Sequence, residues 1–299
     1  MRRISAAFLS FALVVPVLLS RAPARGQTPP PNILVIVTDD QRAGDTMGVM
    51  PQTSQYFQDE GIDFPNAIAT TPVCCPSRAS IFTGRYAHNH DVRSNAAGEP
   101  ANLDQNTTVQ HYLRDKAGYR TGIIGKYLNG WDVKVPPPNF DEYAITRGGY
   151  FKGRFGVGVD GAQKVRHKVG YSTTFVRRRA THFINRAEGN DDQPWLLYVT
   201  PFAPHSPSTP APRYMDADVG PFELNPAMLE EDLSDKPPQY LDYETAFDRA
   251  EQAARRRREL RSLMSVDDMV HKLIKSLHLN NETNTLVFFM SDNGYMWGE

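Results

Sequence analysis

The sequence predicts an α/β fold in which helices cover a mostly parallel central sheet. The first observation is that short apolar runs alternate along the chain with helical patterns, which is typical of this fold class. The second is that the run 33–37 (ILVIV) is apolar at every position, as in strands buried on both faces. The predicted strands are 33–37, 121–127, 195–200 and 285–290.

The first half of the chain predicts a strand followed mainly by short helices. The strand 33–37 reads ILVIV and precedes a predicted helix over 51–60 and a predicted strand with turns over 61–70. Residues 76–83 begin with a proline, which is well tolerated in the first turn of a helix, so we expect a helix to start there. The apolar residues of 109–117 recur at helical spacing, so we expect an amphipathic helix there.

The second half predicts longer helices. After the strand 121–127, the glycine- and tyrosine-rich segment 148–158 predicts an irregular excursion. A helix over 172–186 leads to the strand 195–200, whose sequence is WLLYVT. A long helical pattern, 243–277, precedes the fourth strand. The chain shows no internal repeat.

Composition and charge exclude several classes of protein. The 299 residues carry a net charge of −1, and 40% of them are hydrophobic. This balance excludes a disordered chain, a collagen-like chain and a coiled coil. The chain is long enough to bury a large core. The near-neutral charge gives no support to nucleic-acid binding, and no G-x-G-x-x-G follows the first strand to indicate a dinucleotide site.

The N-terminus predicts an export signal over 1–26, followed by a proline-rich tether over 27–31. Two arginines precede the apolar run 8–19, and small residues follow it. A membrane anchor is the alternative, but this run is shorter than the ~20 residues that span a bilayer. We therefore expect a secreted, periplasmic or otherwise extracytoplasmic protein, in a lysosomal-type compartment if the host is eukaryotic. We expect no stable membrane span after cleavage.

The end of the chain is also informative. The sequence stops at Glu299, in a loop-like segment a few residues after the fourth predicted strand. Natural domains seldom end in such a place, which predicts that 32–299 is a domain incomplete at its C-terminus.

Polar side chains follow each predicted buried strand. In open α/β sheets ligands bind beyond the carboxyl ends of the strands, so we expect these groups to meet at one edge. Asp39, Asp40, Asp292 and Asn293 offer carboxylate and amide oxygens without sulfur or imidazole, and such a set suits a hard cation, Ca²⁺ or Mg²⁺, better than zinc. The residues that follow the strands are Asp39, Asp40, Lys126, His205, Asp292 and Asn293.

The two cysteines, Cys74 and Cys75, are adjacent. Neighbouring cysteines form a disulfide only with strain, so they are not an ordinary structural bridge in an exported protein. Two readings stay open at this point: two buried free thiols, or a chemical role for at least one of them.

The segment that contains the cysteines resembles the signature of the sulfatase family. Cys74-x-Pro-Ser-Arg78 is followed by Thr83-Gly-Arg85, and the strand ends resemble the family's other landmarks in the same chain order. The resemblance covers residues 32–299. Cys-Cys-Pro-Ser-Arg and Gly-Lys-Tyr-Leu-Asn look most like the branch of N-acetylglucosamine-6-sulfatases and related glycan sulfatases. The fold implied is that of alkaline phosphatases and sulfatases, with the C-terminal subdomain missing.

The resemblance implies a covalent mechanism. Cys74, rather than Cys75, would be oxidised to formylglycine by a formylglycine-generating enzyme that recognises Pro76 and Arg78. One hydroxyl of the hydrated aldehyde would attack the sulfur of a sulfate ester, and the second would expel sulfate. The implied substrates are sulfated sugars or glycans and aryl sulfates.

The resemblance also assigns roles to the strand-end residues. Arg78 would bond the nucleophile and the metal ligands, Lys126 would pair with a sulfate oxygen, and His205 would contact the leaving-group oxygen, as a candidate general acid. A divalent cation would neutralise the sulfate, Ca²⁺ being expected and Mg²⁺ the alternative. Its implied ligands are Asp39, Asp40, Cys74, Asp292 and Asn293.

Some features depart from the family pattern or leave alternatives. Many sulfatases have histidine where Leu128 and Met296 stand here. A phosphatase or phosphodiesterase of the same superfamily is one alternative, and a non-catalytic fragment that binds metal or sulfated glycan is another. The sequons at Asn106 and Asn281 predict a glycoprotein only in a host that glycosylates exported proteins.

Overall fold

A computed structural model describes residues 29–151, 153–167, 170–189, 193–221, 230, 232, 234–238 and 249–296. The predicted export signal 1–26 lies outside these residues. The strands are β1 (Asn32–Thr38), β2 (Arg120–Lys126), β3 (Glu142–Thr146), β4 (Arg154–Val159), β5 (Ala162–His167), β6 (Trp195–Thr200) and β7 (Thr285–Ser291). The α-helices are α1 (Pro51–Ser54), α2 (Cys74–Thr83), α3 (Ala87–His90), α4 (Val109–Ala117), α5 (Ser172–Glu188) and α6 (Arg249–Leu279).

The seven strands form one sheet in the order β5-β4-β3-β2-β6-β1-β7. Strands β3, β2, β6, β1 and β7 run parallel to one another, so their carboxyl ends lie at the same edge. Strands β4 and β5 add an antiparallel margin beside β3. The prediction of a mostly parallel sheet covered by helices is confirmed.

Helices cover both faces of the sheet with separate apolar cores. On one face, α5 and α6 pack against β1, β2 and β6 through residues such as Phe183 and Leu273. On the other face, α2 packs through Ala79 and Phe82 against Tyr198. Burying apolar side chains at ~25 cal/mol per Å² is the main stabilising contribution of both layers. Because α2 carries the two cysteines, this packing fixes its start close to the carboxyl edge of the sheet.

The four predicted strands are present, each with bounds within a residue or two of those expected. The prediction of a buried strand is wrong for β7, because this strand lies at the edge of the sheet and leaves Leu286 and Phe288 50% and 45% exposed. The predicted helix 109–117 is α4, whose first turn is capped by the hydroxyl of Thr108, which accepts from the backbone N–H of His111 at 3.3 Å. Gly118 ends it at a φ of 71°, the left-handed conformation that glycine adopts most readily. Of the described residues, none belongs to a helix long and apolar enough to cross a membrane.

The prediction of irregular structure over 148–158 is wrong for its second half, which is β4. Glycines lower strand propensity, but here they are required by close packing. A Cβ on Gly156 would lie 1.9 Å from the carbonyl oxygen of Val133, and one on Gly158 would lie 2.2 Å from the ring of Tyr143. The glycines therefore mark close contacts within a strand rather than a break in one.

The predicted strand over 61–70 is absent from the described structure. The segment is exposed and pairs with none of the seven strands, and Ile62, Phe64 and Ile68 are 79%, 69% and 85% exposed. A strand without a partner gains no ladder hydrogen bonds, whatever its apolar pattern.

The predicted helix 51–60 consists of α1 and a π-helical turn, Gln55–Asp59. Of the helix predicted over 243–277, residues 243–248 lie outside the described residues.

Candidate active site

The strand-end side chains converge at the carboxyl edge of the sheet. Asp39 and Asp40 directly follow β1, and the loop after β6 brings His205 opposite them. Helix α2 brings Cys74 to the same place. One ligand atom from each of these four residues lies within 4.8 Å of the other three. The strand order β2-β6-β1-β7 thus collects residues that are far apart in the sequence.

Lys126, the last residue of β2, lies against Asp39. Its Nζ is 2.7 Å and 2.8 Å from the two carboxylate oxygens, and both side chains are buried. The preceding Gly125 allows β2 to lie close to β6, because its φ is 125° and a Cβ there would lie 1.9 Å from the carbonyl oxygen of Thr200. The ammonium group of Lys126 is paired with a carboxylate of the protein itself.

Arg78 joins α2 to two strand ends from a fully buried position, with 1% of its surface exposed. Its Nε donates to Oδ2 of Asp292 at 2.7 Å, and its Nη1 donates to the carbonyl oxygen of Lys126 at 2.8 Å. Its Nη2 is 3.7 Å from Asp39 and donates no hydrogen bond to any described residue. This buried N–H group is therefore available to a further acceptor in the site.

Asp292 is held by donors on both sides. Its Oδ1 accepts from the backbone N–H of Asp40 and from Nδ2 of Asn293, each at 3.0 Å. The hydroxyl of Ser77 donates to its carbonyl oxygen. Burial raises the pKa of the Asp292 carboxyl, while the positive charge of Arg78 opposes the increase. Asp40 has a φ of 65°, a left-handed conformation that aspartate tolerates better than most residues.

The two cysteines have different surroundings. Cys74 is the first residue of α2, and its Sγ donates to Oδ1 of Asp40 at 3.5 Å. Burial and the charge of Asp39 raise its pKa to about 12, so the unmodified thiol stays protonated at neutral pH and is a weak nucleophile. Cys75 is completely buried and points to the carbonyl oxygen of Asn129, 3.9 Å away. Only Cys74 faces the acidic cluster.

His205 lies beside Asp40, with its Nε2 3.6 Å from Oδ2 of the carboxylate. Its Nδ1 is 2.7 Å from the carbonyl oxygen of Ser206. Since a carbonyl can only accept, Nδ1 carries the proton of that hydrogen bond, which leaves Nε2 as the atom directed at the cluster. The side chain is 31% exposed, so a substrate atom can reach it.

The residues present fit a divalent cation. Three carboxylates, those of Asp39, Asp40 and Asp292, face two cations, Arg78 and Lys126. These charges sum to −1, and a divalent ion would bring the sum to +1. The donor atoms are the oxygens that Ca²⁺ and Mg²⁺ prefer. Asn293 adds an amide beside Asp292.

All the site residues predicted from the sequence lie in this cluster, and two further residues support it. Asn95 accepts the backbone N–H of Cys75 at 2.8 Å and so caps the first turn of α2. Ser77 links α2 to Asp292. Ser77 belongs to the Cys-x-Pro-Ser-Arg signature, so the sequence could have indicated a role for it. Asn95 carries no local pattern, because its role depends on a loop that folds back over 20 residues.

The comparisons with known proteins agree with the geometry. The sequence model of the family described as Sulfatase matches residues 31–299. A Caenorhabditis elegans protein named as an extracellular sulfatase Sulf-1 homolog is 32% identical over 286 residues, which are 90% of this chain and 40% of that protein. The N-acetylglucosamine-6-sulfatase of Homo sapiens is 29% identical over 303 residues, or 90% of this chain and 52% of that protein.

A solved structure supports the fold. The protein yidJ of Bacteroides fragilis, described as a sulfatase, superposes with a TM-score of 0.69 at 24% identity, over 92% of this chain and 64% of that one. At this identity the likeness shows the fold alone. The chain spans about half, or less, of the length of the two relatives named above.

Proposed function

Because the chain belongs to the sulfatase family, we propose that it hydrolyses sulfate esters of sulfated sugars or glycans, with aryl sulfates as simple substrates. The observation that carries this proposal is the position of Cys74. The first cysteine of the signature begins α2 and faces Asp39, Asp40 and His205, whereas its neighbour Cys75 faces the core.

The reactivity of residue 74 depends on its modification. The raised pKa of the Cys74 thiol argues against attack by a thiolate. A formylglycine formed there by a formylglycine-generating enzyme supplies, as its hydrate, one hydroxyl to attack sulfur and a second to expel sulfate. Asp40, which accepts from Cys74 Sγ at 3.5 Å, is placed to accept a proton from a hydroxyl at the same position.

Binding of the sulfate group falls to the cationic side of the site. The free Nη2 of Arg78 and the Nζ of Lys126 both lie against Asp39, so a sulfate at residue 74 can take hydrogen bonds from them. A divalent cation held by Asp39, Asp40, Asp292 and Asn293, Ca²⁺ or Mg²⁺, would add neutralisation of the sulfate oxygens.

His205 is the residue that we assign to the leaving group. Its Nε2 points into the site, 3.6 Å from Oδ2 of Asp40, and is the atom that we assign to carry the proton for the departing oxygen. Donating that proton to the departing oxygen matters most for sugar alcohols, which are poor leaving groups. The partial exposure of the ring leaves room for the alcohol part of the substrate.

The relatives point to a substrate class and a location. One relative is named an N-acetylglucosamine-6-sulfatase and another an extracellular sulfatase homolog. By extension, we propose that the substrate of this chain is a sulfated amino sugar within a glycan. We also propose that the protein lies outside the cytoplasm.

A phosphatase of the same superfamily is the second candidate for the activity. Enzymes of that kind use a serine or threonine nucleophile and commonly two zinc ions with histidine ligands. Among the described residues, the group that could hold a metal ion has one histidine, beside two carboxylates and the sulfur of Cys74. The donor set therefore favours the sulfatase.

The test compares sulfate release from glucosamine-6-sulfate with phosphate release from glucosamine-6-phosphate, using protein made together with a formylglycine-generating enzyme. The two esters differ in the transferred group alone. We expect turnover of the sulfate ester in the presence of Ca²⁺ and little turnover of the phosphate ester. The Cys74→Ala variant serves as the blank. Faster release of phosphate supports the phosphatase, and binding of the sulfated sugar without turnover supports a non-catalytic protein.

A further inference from the structure

We propose that Tyr150 is a positioning residue for His205, holding the histidine in the orientation that delivers a proton to the departing alcohol. Tyr150 belongs to the glycine- and tyrosine-rich segment 148–158, to which the mechanism above gives no part. The inference rests on the proposed function, since it concerns the role of His205 in that reaction.

The hydrogen bonds carry the first step of the argument. The hydroxyl of Tyr150 donates to the backbone carbonyl oxygen of His205 at 2.7 Å. The same oxygen accepts the backbone N–H of Ser208 at 3.0 Å, so both of its lone pairs are used. The backbone N–H of His205 in turn donates to the carbonyl oxygen of Phe202 at 3.1 Å. His205 is thus fixed through its backbone on both sides, and one of these contacts comes from outside its own loop.

Ring packing carries the second step. The Tyr150 ring meets the Phe202 ring edge-on, with 5.4 Å between centroids. The Phe202 ring lies 4.7 Å from the imidazole of His205. A Cβ on Gly148 would come within 2.7 Å of the Phe202 ring, so a glycine is needed for this approach. The three rings therefore form a continuous series of aromatic contacts from the core to the imidazole.

The anchoring of Tyr150 itself carries the third step. The side chain is 4% exposed, and its backbone carbonyl accepts the N–H of Ser172, the first residue of α5, at 2.7 Å. Tyr150 therefore links the start of a long, well-packed helix to the loop that carries His205. A tyrosine hydroxyl buried in this way is expected to have a specific partner, and the partner here is the histidine's own carbonyl.

The chain offers a matched control. Tyr171 is also buried, packs on Tyr150 with 5.8 Å between ring centroids, and donates to the carbonyl oxygen of Thr209 at 2.9 Å in the same loop. Tyr150→Phe and Tyr171→Phe each remove one hydroxyl that bonds one loop carbonyl. Only the first removes the bond to His205.

The test measures kcat and KM for two esters with each variant. One is a sugar sulfate, whose alcohol needs protonation to leave, and the other is 4-nitrophenyl sulfate, whose phenolate does not. For Tyr150→Phe we expect kcat to fall about tenfold for the sugar ester and less than about threefold for the aryl ester, with KM little changed. For Tyr171→Phe we expect no difference between the esters.

The outcomes separate the inference from the proposed function. Equal losses for both esters in Tyr150→Phe, or the same selective loss in Tyr171→Phe, overturn the positioning role. If the wild-type protein hydrolyses neither ester, the proposed function fails, and hydrogen exchange decides the positioning claim. Faster exchange at the amides of His205 and Ser208 in Tyr150→Phe, absent in Tyr171→Phe, supports the claim, and unchanged exchange overturns it.

Discussion

At the residue scale, the surroundings of two neighbouring cysteines differ in charge and in contacts. Cys74 lies among Asp39, Asp40 and His205, whereas Cys75 packs into the apolar core under α2. Burial raises the pKa of Cys75 as well, to about 11, so neither residue is a ready thiolate. The difference between the two positions is therefore access to the charged cluster rather than acidity.

We expect Cys74→Ala to abolish hydrolysis of sulfate esters and Cys75→Ala to retain it. Removing the buried Cys75 sulfur deletes packing and lowers the free energy of unfolding by about 1 kcal/mol. Initial rates with an aryl sulfate, together with thermal midpoints, check both statements. A comparable loss of activity in the two variants would show that the wrong cysteine has been assigned.

The carboxylates of Asp39, Asp40 and Asp292 lead us to predict that Ca²⁺ stabilises the folded protein. A ligand that binds only the folded protein at 100 times its Kd adds about 2.7 kcal/mol to the free energy of unfolding. We expect the thermal midpoint to rise with Ca²⁺ in the wild type and in Asp63→Asn, which changes an exposed aspartate of the segment 61–70. Asp40→Asn should lose most of the increase. An equal increase in all three proteins would place the ion elsewhere.

At the element scale, the close pairing of β2 with β6 depends on a glycine. Gly125 combines a φ of 125° with a carbonyl oxygen 1.9 Å from the position of a Cβ. An added methyl group cannot be accommodated there without moving β2 away from β6, because the obstacle is backbone. Lys126 follows directly, so the displacement reaches the site.

Gly125→Ala is expected to lower the free energy of unfolding by more than about 3 kcal/mol, from overpacking and from the unfavourable φ together. Gly48→Ala is the control, because Gly48 has nothing within 4 Å of a Cβ and no positive φ. Urea unfolding of the two variants measures the contrast. Similar midpoints for both would mean that the strands tolerate the methyl group.

The same scale shows why some elements could be predicted and others not. The strand 195–200 is apolar except for its last residue, Thr200, and is buried at every position, so composition alone indicates it. Strand β4 reads RFGVGV, and its glycines lower strand propensity although they serve tertiary contacts. The segment 61–70 has apolar side chains at positions 62, 64 and 68 but no partner strand among the described residues. Local pattern predicts an element only when its tertiary environment agrees.

At the scale of the whole molecule, long-range contacts decide what the sequence can reveal about the site. Asp39 and Asp292 were predicted because each follows an apolar strand, and parallel strands end at one edge. The contact of Lys126 with Asp39 could not be predicted, since a lysine at that strand end could equally well bind an anionic group of the substrate. The capping by Asn95 and the support from Tyr150 were missed for the same reason, because loops without a pattern deliver them.

A buried acid that joins distant parts of the chain predicts a dependence of stability on pH. Asp267 of α6 accepts the backbone N–H and the hydroxyl of Thr53 in α1 at 2.7 Å and 2.8 Å. Burial raises its pKa above the usual 3.8, although these hydrogen bonds oppose the increase. A carboxyl with a raised pKa in the folded state favours folding below its unfolded pKa, and that contribution is lost as the pH rises through the folded value.

We therefore expect the free energy of unfolding of the wild type, relative to Asp267→Asn, to decrease as the pH rises from about 4 towards neutrality. Subtracting the variant removes the titration of all other groups. Parallel urea titrations at several pH values measure this difference, and Asp63→Asn, in the exposed segment 61–70, is measured alongside as the control variant. A difference that stays constant or increases with pH would contradict the assignment.

The central claim is that Cys74 becomes the nucleophile of a sulfatase. Its most direct test is the mass of the tryptic peptide that spans residues 43–78, taken from protein that is releasing sulfate from its substrate. Conversion to formylglycine lowers that mass by about 18 Da, and we expect the converted fraction to rise and fall with the specific activity of each preparation. Full activity in protein whose Cys74 is entirely unmodified would contradict the account.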